Sequence, residues 1–159
     1  DEGMDDVGCP CVARVIGNHI YVFCTDEDDE MRWVDARDRC VQRNMHLAVF
    51  ESDEEFRRAA QIAEQLAPNE KFWIGLRQPT RGADNEGDNR DRMRIWQWLH
   101  NGQTYPRNGD FWLDGHADAH DRDERDCAYL RTTNQTPHLR ADRCNSNFRF
   151  VCENPIPVQ

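Results

Sequence analysis

The sequence predicts a domain of the α+β class that disulfide bonds stabilise. Two segments with helical spacing of apolar residues occupy the first half, and short apolar bursts separated by long polar connections occupy the second. Seven cysteines lie among the 159 residues. A chain of this length folds as one domain and buries about 70% of the surface that its unfolded form exposes, so a true core is expected although only 38% of the residues are apolar.

The cysteine pattern indicates an oxidising compartment. The one closely spaced pair, Cys9 and Cys11, is too tight for the usual zinc site, and the other cysteines are scattered as crosslinks are. We therefore expect disulfides and a secreted, extracellular protein. No apolar run approaches the ~20 residues of a membrane span. A net charge of −10 argues against nucleic acid as a partner.

The first half contains a tail, a hairpin and a helix. Residues 1–8 are acidic and predict an N-terminal tail. Residues 11–23 alternate in polarity around the turn residues Gly17-Asn18, which predicts a strand pair. A helix should follow, with the acidic residues 28–30 in its first turn, where the helix dipole favours anions. Its apolar face is expected to consist of Trp33, Ala36, Cys40 and Val41.

A short strand at residues 46–50 and a second helix come next. Ser52 and Glu55 have the spacing of a capping box, so Ser52 should begin this helix, and Pro68 should end it. The expected buried face is Phe56, Ala59, Ala60, Ala63 and Leu66. The β half then contains five apolar bursts, at residues 72–76, 95–99, 111–113, 128–130 and 148–152. Trp73, Trp96 and Trp98 are expected in the core.

These motifs together resemble the C-type lectin-like domains. Trp73-Ile74-Gly75-Leu76 resembles the signature strand of that family, and the spacing of Trp33, Ala36 and Cys40 resembles its first helix. The strand His46-Leu47-Ala48-Val49, the motif Trp96-x-Trp98, the pair Asp126-Cys127, Cys144 and the closing Phe150-Val151-Cys152-Glu153 follow in the family's order. The resemblance covers residues 9–154, with 155–159 as a C-terminal tail. It implies two helices flanking small antiparallel sheets, with a long loop region.

The resemblance also implies the disulfide pairing. Cys40 should pair with Cys152, and Cys127 with Cys144. The long form of the family adds a bridge at the N-terminal hairpin, which here joins Cys24 to Cys11 or to Cys9; we favour Cys11. Cys9 is then the odd cysteine, which suggests a crosslink to another copy of the chain or a capped thiol.

Many family members bind sugar through a Ca²⁺ ion, and this chain departs from their motif. The loop that carries Glu-Pro-Asn in the family aligns with His116-Ala117-Asp118. The acidic ligand that the family has two residues before the cysteine at Cys127 aligns with Arg125. The Trp-Asn-Asp segment aligns with Leu139-Arg140-Ala141. Ca²⁺ needs six to eight oxygens, so we expect the usual Ca²⁺–sugar site to be lost and no cofactor to be required.

A different Ca²⁺ site is an open alternative. The long loop is rich in carboxylates, and the candidate ligands are Asp114, Asp118, Asp121 and Asp123. Neutralisation of this acidic loop by its own arginines is the plainer interpretation, and we favour it. His116 and His120 have the spacing of a helical zinc pair, but Ala117 stands where a catalytic Glu would, so no enzyme is expected.

The sequence therefore predicts an extracellular binding module for a glycan or protein ligand. Its contacts should come from the long loops at about 84–94 and 110–126, with Trp112, His116, Asp118, Arg125 and Arg140 as candidate ligand-binding residues. Asn134-Gln135-Thr136 is a glycosylation sequon, which Pro137 disfavours. The alternative is an assembly protein of a matrix, mucus or mineral surface, which the odd Cys9 and the acidic balance support.

Overall fold

The computed structural model describes residues 11–78, 95–106, 108–113 and 125–155. Two α-helices and nine strands lie in these ranges. In chain order they are β1 (Cys11–Ile16), β2 (His19–Cys24), α1 (Trp33–Gln42), β3 (His46–Leu47), α2 (Asp53–Leu66), β4 (Phe72–Arg77), β5 (Trp96–Trp98), β6 (Thr104–Tyr105), β7 (Cys127–Thr133), β8 (Thr136–Asp142) and β9 (Arg149–Pro155).

The described strands join in one mixed sheet. Its main path runs β1-β2-β9-β4-β5-β6, while β3 also pairs with β9, and β7 pairs with both β4 and β8. The β4–β9 pair is parallel, and the other pairs are antiparallel. β9, near the end of the chain, thus lies between the N-terminal hairpin and β4. This arrangement confirms the α+β class, with both helices in the first half of the chain.

The helix α2 forms as the capping and periodicity predict. The Oγ of Ser52 accepts a hydrogen bond from the Glu55 N–H at 3.1 Å, and the helix ends at Leu66, before Pro68. The carboxylate of Glu55 accepts from the Glu51 N–H at 2.9 Å, one residue before the partner that a capping box predicts. The predicted apolar face is buried except for Leu66, which is half-buried.

The acidic run before α1 does not lie in the first turn of that helix, so this prediction was wrong. Glu27–Asp29 form a separate 3₁₀ turn, which the Asp26 carboxylate caps. Glu30 then returns to extended backbone, and Met31 forms a β-bridge with Phe148 that breaks the helical run before Trp33. Val41 was placed on the same apolar face as Trp33, Ala36 and Cys40, yet 57% of its surface is exposed.

The hydrophobic core has two parts. The larger cluster packs α2 against the sheet and includes Phe56, Ile74, Leu76, Trp96 and Trp98. The smaller cluster packs α1 against β4 and β9, and Trp33, Trp73 and Phe150 are at its centre. Both of its indoles hydrogen-bond to backbone carbonyls, Trp33 to Ile74 and Trp73 to Met31. The core tryptophans predicted from the sequence are confirmed, because each is at most 4% exposed.

Three disulfides connect these elements with the expected pairing. Cys11–Cys24 closes the N-terminal hairpin, Cys40–Cys152 joins α1 to β9, and Cys127–Cys144 joins β7 to the segment before β9. The second bridge spans 112 residues of sequence, and its two cysteines are fully buried. Cys9 lies outside the described residues.

Candidate functional site at the long-loop end

One edge of the sheet anchors the long loops of the β half. Gln78 is the last described residue of the chain leaving β4, and Arg125 is the first described residue of the chain entering β7. The Gln78 N–H donates to the Asp126 carbonyl at 2.9 Å, and its side-chain amide donates to the Asp126 carboxylate at 3.0 Å. Gln78 is 1% exposed. These contacts close the base of the loop region and engage Asp126 with an amide donor.

Strand β8 carries the segment that the family resemblance aligns with Trp-Asn-Asp. Leu139 is fully buried and Ala141 is 3% exposed, so both side chains face the core. Arg140 lies between them and is half-buried, and its guanidinium donates to the Thr133 hydroxyl at 3.1 Å. The segment therefore presents a cation and no side-chain oxygen on its open face.

The two candidate arginines differ in environment. Arg125 is exposed beside the base of the loops, whereas Arg140 pairs across the β7–β8 ladder with Tyr129. Burial raises the pKa of the Tyr129 phenol, and the positive charge of Arg140 opposes that rise. Arg140 is thus fixed in direction by the strand, while Arg125 extends into solvent.

Trp112 lies in the core at the point where the second long loop begins. Its ring is 7% exposed, its Nε1–H donates to the Pro106 carbonyl at 3.0 Å, and its ring centroid is 4.7 Å from that of Trp96. The backbone of residues 111–113 exchanges two hydrogen bonds with Leu139. Trp112 therefore has a structural role in attaching this segment to β8, and little of its ring is available to a ligand.

Several predicted site residues lie outside the described part of the chain. They are His116 and the proposed metal ligands Asp114, Asp118, Asp121 and Asp123. Asn134 is described: it is exposed in the β7–β8 turn with a φ of 52°, which suits an asparagine. Of the predicted ligand-binding residues, the described structure locates Arg125 at the loop base and Trp112 in the core, whereas Arg140 lies on β8 with its guanidinium directed toward Thr133.

A groove lies between the start of α2 and the β5–β6 hairpin. It was not predicted from the sequence. Its volume is about 700 Å³, within the range of ligand clefts. Carboxylates of Glu51, Asp53 and Asp110 line it together with the rings of Trp98 and Tyr105. Burial raises the pKa of the Tyr105 phenol, which accepts a hydrogen bond from the Phe111 N–H at 2.9 Å. No local sequence signal indicates the groove, because its lining comes from three separate segments.

A buried carboxylate lies at the junction of β2, β9 and α2. Glu153 is 2% exposed, contacts the Nδ1 of His19, and accepts a hydrogen bond from the Val49 N–H at 2.7 Å. Burial raises its pKa to about 7, and the Val49 N–H and His19 oppose the rise. Burial of the Tyr21 phenol raises its own pKa, and the negative charge of the nearby Glu153 is the next largest cause of that rise.

Within the described residues, two groups of side chains have metal-like spacing. His19, Glu51 and Glu55 place ligand atoms within 4.8 Å of one another, and so do Cys11, Cys24 and Asp29. The two sulfurs of the second group form a disulfide and are not ligands. Carboxylates at a surface commonly approach one another without an ion, so we assign no metal to the first group on spacing alone.

The fold and its bridges define a class: an α+β domain with two helices, a mixed sheet, a disulfide-closed hairpin and two further disulfides. The family model of the lectin C-type domain matches residues 29–154. This chain belongs to that family.

Relatives show the same affiliation. This chain is 28% identical to the mouse C-type lectin domain family 12 member B, in an alignment that covers 91% of this chain. It is 27% identical to the human C-type lectin domain family 6 member A, with 65% of this chain aligned. It spans 44% and 41% of those two proteins, less than half of each. It is also 26% identical to one polypeptide of a snaclec, the coagulation factor IX/factor X-binding protein of Protobothrops flavoviridis, over 91% of this chain and 82% of that polypeptide.

Solved structures share the fold. The C-type lectin domain of murine dendritic cell inhibitory receptor 2, determined in complex with an N-glycan, superposes with a TM-score of 0.66 at 17% identity and covers 93% of this chain and 99% of that one. The carbohydrate-recognition domain of the mouse scavenger receptor C-type lectin gives a TM-score of 0.63 at 21% identity, with 95% and 99% coverage. Among the described residues, no helix has the length and apolar character to span a membrane.

Proposed function

We propose that this chain is an extracellular, non-enzymatic binding module that recognises a glycan or a glycoprotein through its long loops, without the Ca²⁺–sugar site that is usual in the family. Membership of the family supports binding as the role. The structural neighbour with an N-glycan bound supports glycan as the ligand class. The three disulfides are compatible with secretion.

The observation that carries the proposal is the chemistry of strand β8. Where the resemblance predicts side-chain oxygens for Ca²⁺, the strand has two buried apolar residues around the half-buried Arg140. Ca²⁺ affinity follows the number and charge of its oxygen ligands. The aligned positions Leu139, Arg140 and Ala141 offer none, with a guanidinium in their place, so they do not supply the ligands that the family's segment gives to Ca²⁺.

Electrostatics adds to this loss of ligands. Two unit charges of the same sign at about 4 Å repel by about 4 kcal/mol at an effective dielectric of 20, and a divalent ion doubles that energy. The repulsion exceeds the whole binding energy of a millimolar site, which is about 4 kcal/mol. Arg125 and Arg140 would instead attract anionic groups, such as sulfate or carboxylate on a glycan or glycoprotein.

A glycan array probed in Ca²⁺ and in EDTA tests the proposal. We expect the same glycans to bind in both buffers, with the anionic ones strongest. Arg125→Ala and Arg140→Ala should each weaken binding about tenfold, the effect of losing one charge-assisted contact of about 1.4 kcal/mol. Arg14→Ala is the matched control, because Arg14 is an exposed arginine on β1 of the N-terminal hairpin, and it should bind as the wild type does.

The outcomes separate the proposal from its alternatives. Binding that disappears in EDTA would contradict the proposal and show that a Ca²⁺ site is needed, such as the one suggested for the acidic loop. Binding to no glycan, together with large ordered assemblies on sizing, would favour the assembly role. Gels of native protein with and without reductant test a crosslink through Cys9, and one monomer band in both lanes excludes it.

A further inference from the structure

The hairpin disulfide lies at the end of the β1–β2 ladder that is opposite the turn. Cys11 and Cys24 lie directly opposite each other in a ladder of six residue pairs, with 4.2 Å between their Cα atoms. Cys24 is fully buried, whereas Cys11 is half-buried at the start of β1. A dissolved thiol therefore reaches the sulfur of Cys11 first. The ladder keeps β1 paired with β2 when the sulfur–sulfur bond opens.

A cation contacts both sulfurs of this bridge. Arg43, the C-terminal cap of α1, places Nη1 at 3.3 Å from the Sγ of Cys11 and 3.5 Å from that of Cys24. A guanidinium gains little from a neutral disulfide, but it stabilises a thiolate at the same position by a charge-assisted contact. Arg43 therefore favours the state in which the bridge has opened and one sulfur is ionised.

The buried carboxyl group of Asp29 is the second titratable group beside the hairpin bridge. A carboxylate oxygen of Asp29 lies within 4.8 Å of the sulfur atoms, and Asp29 is 5% exposed. Its Oδ2 has no hydrogen-bond partner among the described residues. Burial raises the pKa of this carboxyl, which Arg43 partly opposes. In its protonated form Asp29 can supply a proton to a thiolate formed beside it.

In the part of the chain that the structure describes, neither of the other two bridges combines a half-buried cysteine with a cation at its sulfurs. Cys40 and Cys152 are both fully buried. Cys127 is fully buried as well, and its partner Cys144 is half-buried. Within the described ranges, the sulfurs of neither bridge contact a guanidinium. The three disulfides of one small domain therefore differ in their electrostatic surroundings, and only the hairpin bridge combines access with a stabilised leaving group.

We propose that the Cys11–Cys24 disulfide is a reversible thiol-exchange site for small-molecule thiols. The thiolate of the incoming molecule attacks the Sγ of Cys11, and a new disulfide forms between them. The Cys11–Cys24 bond breaks, and its electron pair leaves on the Sγ of Cys24. That thiolate remains beside Arg43 or takes a proton from Asp29. One disulfide replaces another, so the step needs no separate oxidant or reductant.

Trapping of free thiols by alkylation, followed by mass spectrometry, tests the proposal on the full chain. All proteins carry Cys9→Ser, so that this additional thiol does not enter the exchange. The folded protein is incubated with reduced and oxidised glutathione at a fixed ratio. We expect label on Cys24 and glutathione on Cys11 while the other four bridge cysteines stay unlabelled, with the circular dichroism spectrum unchanged.

Variants at Arg43 separate electrostatics from simple exposure. Arg43→Gln should lower the opened fraction about tenfold, which corresponds to a rise of one unit in the pKa of the leaving thiol. Arg43→Lys keeps the charge and should retain most of the exchange. Arg39→Gln is the matched control, since it removes the same charge one helical turn earlier and near the same Asp29. It should leave the opened fraction within twofold of the parent.

Three outcomes of these experiments would overturn the proposal. Simultaneous opening of all three bridges with loss of the spectrum would show reduction through unfolding. An opened fraction in Arg43→Gln equal to that of the parent would show that the contact between Arg43 and the sulfurs has no role. The same conclusion would follow if Arg39→Gln lowered the opened fraction as much as Arg43→Gln does. If Arg43→Gln does not fold, the order of opening in the parent and the behaviour of Arg43→Lys still decide the question. None of these readouts depends on glycan binding.

Discussion

At the scale of single residues, Glu153 is the clearest case in which burial determines a property. The residue belongs to β9, and the side chains of His19 and Glu55 both act on its carboxylate. Removing a carboxylate from water disfavours its ionised form. The two hydrogen-bonding neighbours, Val49 and His19, recover part of this cost. The net effect is a proton that the folded state holds more tightly than the unfolded chain does.

This raised pKa predicts a pH dependence of stability. The folded-state pKa is about 7 and the ordinary value is 4.5, so the contribution of Glu153 is most favourable below pH 4.5 and is lost as the pH rises to 7. A shift of this size corresponds to about 3 kcal/mol. Glu153→Gln keeps an acceptor for the Val49 N–H and removes the titration.

Urea unfolding at several pH values between 4.5 and 7.5 measures the effect. The free energy of unfolding of the wild type, relative to Glu153→Gln, should fall through this range by a few kcal/mol. Glu54→Gln, at an exposed position of α2, is the control and should track the wild type. Parallel curves for wild type and Glu153→Gln would show that folding does not shift the pKa of this carboxyl.

Gly75 shows a second residue-scale constraint, the close approach of two backbones. A Cβ built on Gly75 would lie 2.8 Å from the Leu47 carbonyl oxygen and 3.1 Å from that of Ala48. The Gly75 N–H also donates to the Ala48 carbonyl at 2.9 Å. Neither oxygen belongs to a flexible side chain, so a methyl group must displace β4 from the end of β3 and the residue after it.

We therefore expect Gly75→Ala to destabilise the fold by about 1–3 kcal/mol, the usual cost of overpacking. Thermal unfolding with and without the substitution measures it. Gly75→Ser should cost at least as much, because it adds the same Cβ and one further atom. A midpoint equal to that of the wild type would mean that the two segments separate at little cost.

At the scale of elements, the helices and strands predicted best from the sequence are those whose local sequence signals match the way they pack in the fold. In α2 the cap at Ser52, the spacing of the apolar residues and Pro68 all indicate the same helix, and the helix forms between these limits. The hairpin β1–β2 has its turn at Gly17, whose φ is 61°, as the sequence predicted. Such elements need little information from the rest of the chain.

The residues of strand β8 carry no strand signal of their own, and only the family resemblance implied a strand segment there. The segment 136–142 contains a proline and four charged or polar side chains among its seven residues. It forms a strand because all seven residues pair with β7. The loop base has the same origin: Gln78 and Asp126 meet through the β4–β7 pairing across a long sequence separation. Long-range pairing of this kind, and the groove beside α2, do not leave a local pattern.

The cap of α2 gives a prediction at this scale. Ser52→Ala removes the acceptor for the Glu55 N–H and leaves one orphan donor at the first turn, so we expect a loss of about 1 kcal/mol in the free energy of unfolding. Ser52→Asp restores an acceptor and adds a negative charge at the helix N-terminus, and should recover most of the loss. Ser146→Ala, in a turn before β9, is the control for a serine outside a cap. Equal stability of Ser52→Ala and wild type would contradict this account.

At the scale of the whole molecule, the bridges connect parts of the chain that are distant in sequence. Cys40–Cys152 attaches α1 to β9, which is the strand between the N-terminal hairpin and β4. The other two bridges close loops with sequence separations of 13 and 17 residues. In the chain-entropy account, a crosslink stabilises the fold by restricting the unfolded chain, and a longer loop gives a larger effect.

Pairwise replacement of the bridge cysteines by serine tests this account. Removal of Cys40–Cys152 should cost about 5 kcal/mol or leave the chain unfolded at 25 °C, whereas removal of Cys11–Cys24 or Cys127–Cys144 should cost about 3 kcal/mol each. Urea unfolding of the three double variants, all with Cys9→Ser, gives the free energies. The two short-loop variants serve as matched controls for each other, since their loops are of similar length. If all three variants lose the same stability, loop entropy does not set the contribution of the bridges, and packing around each sulfur pair does.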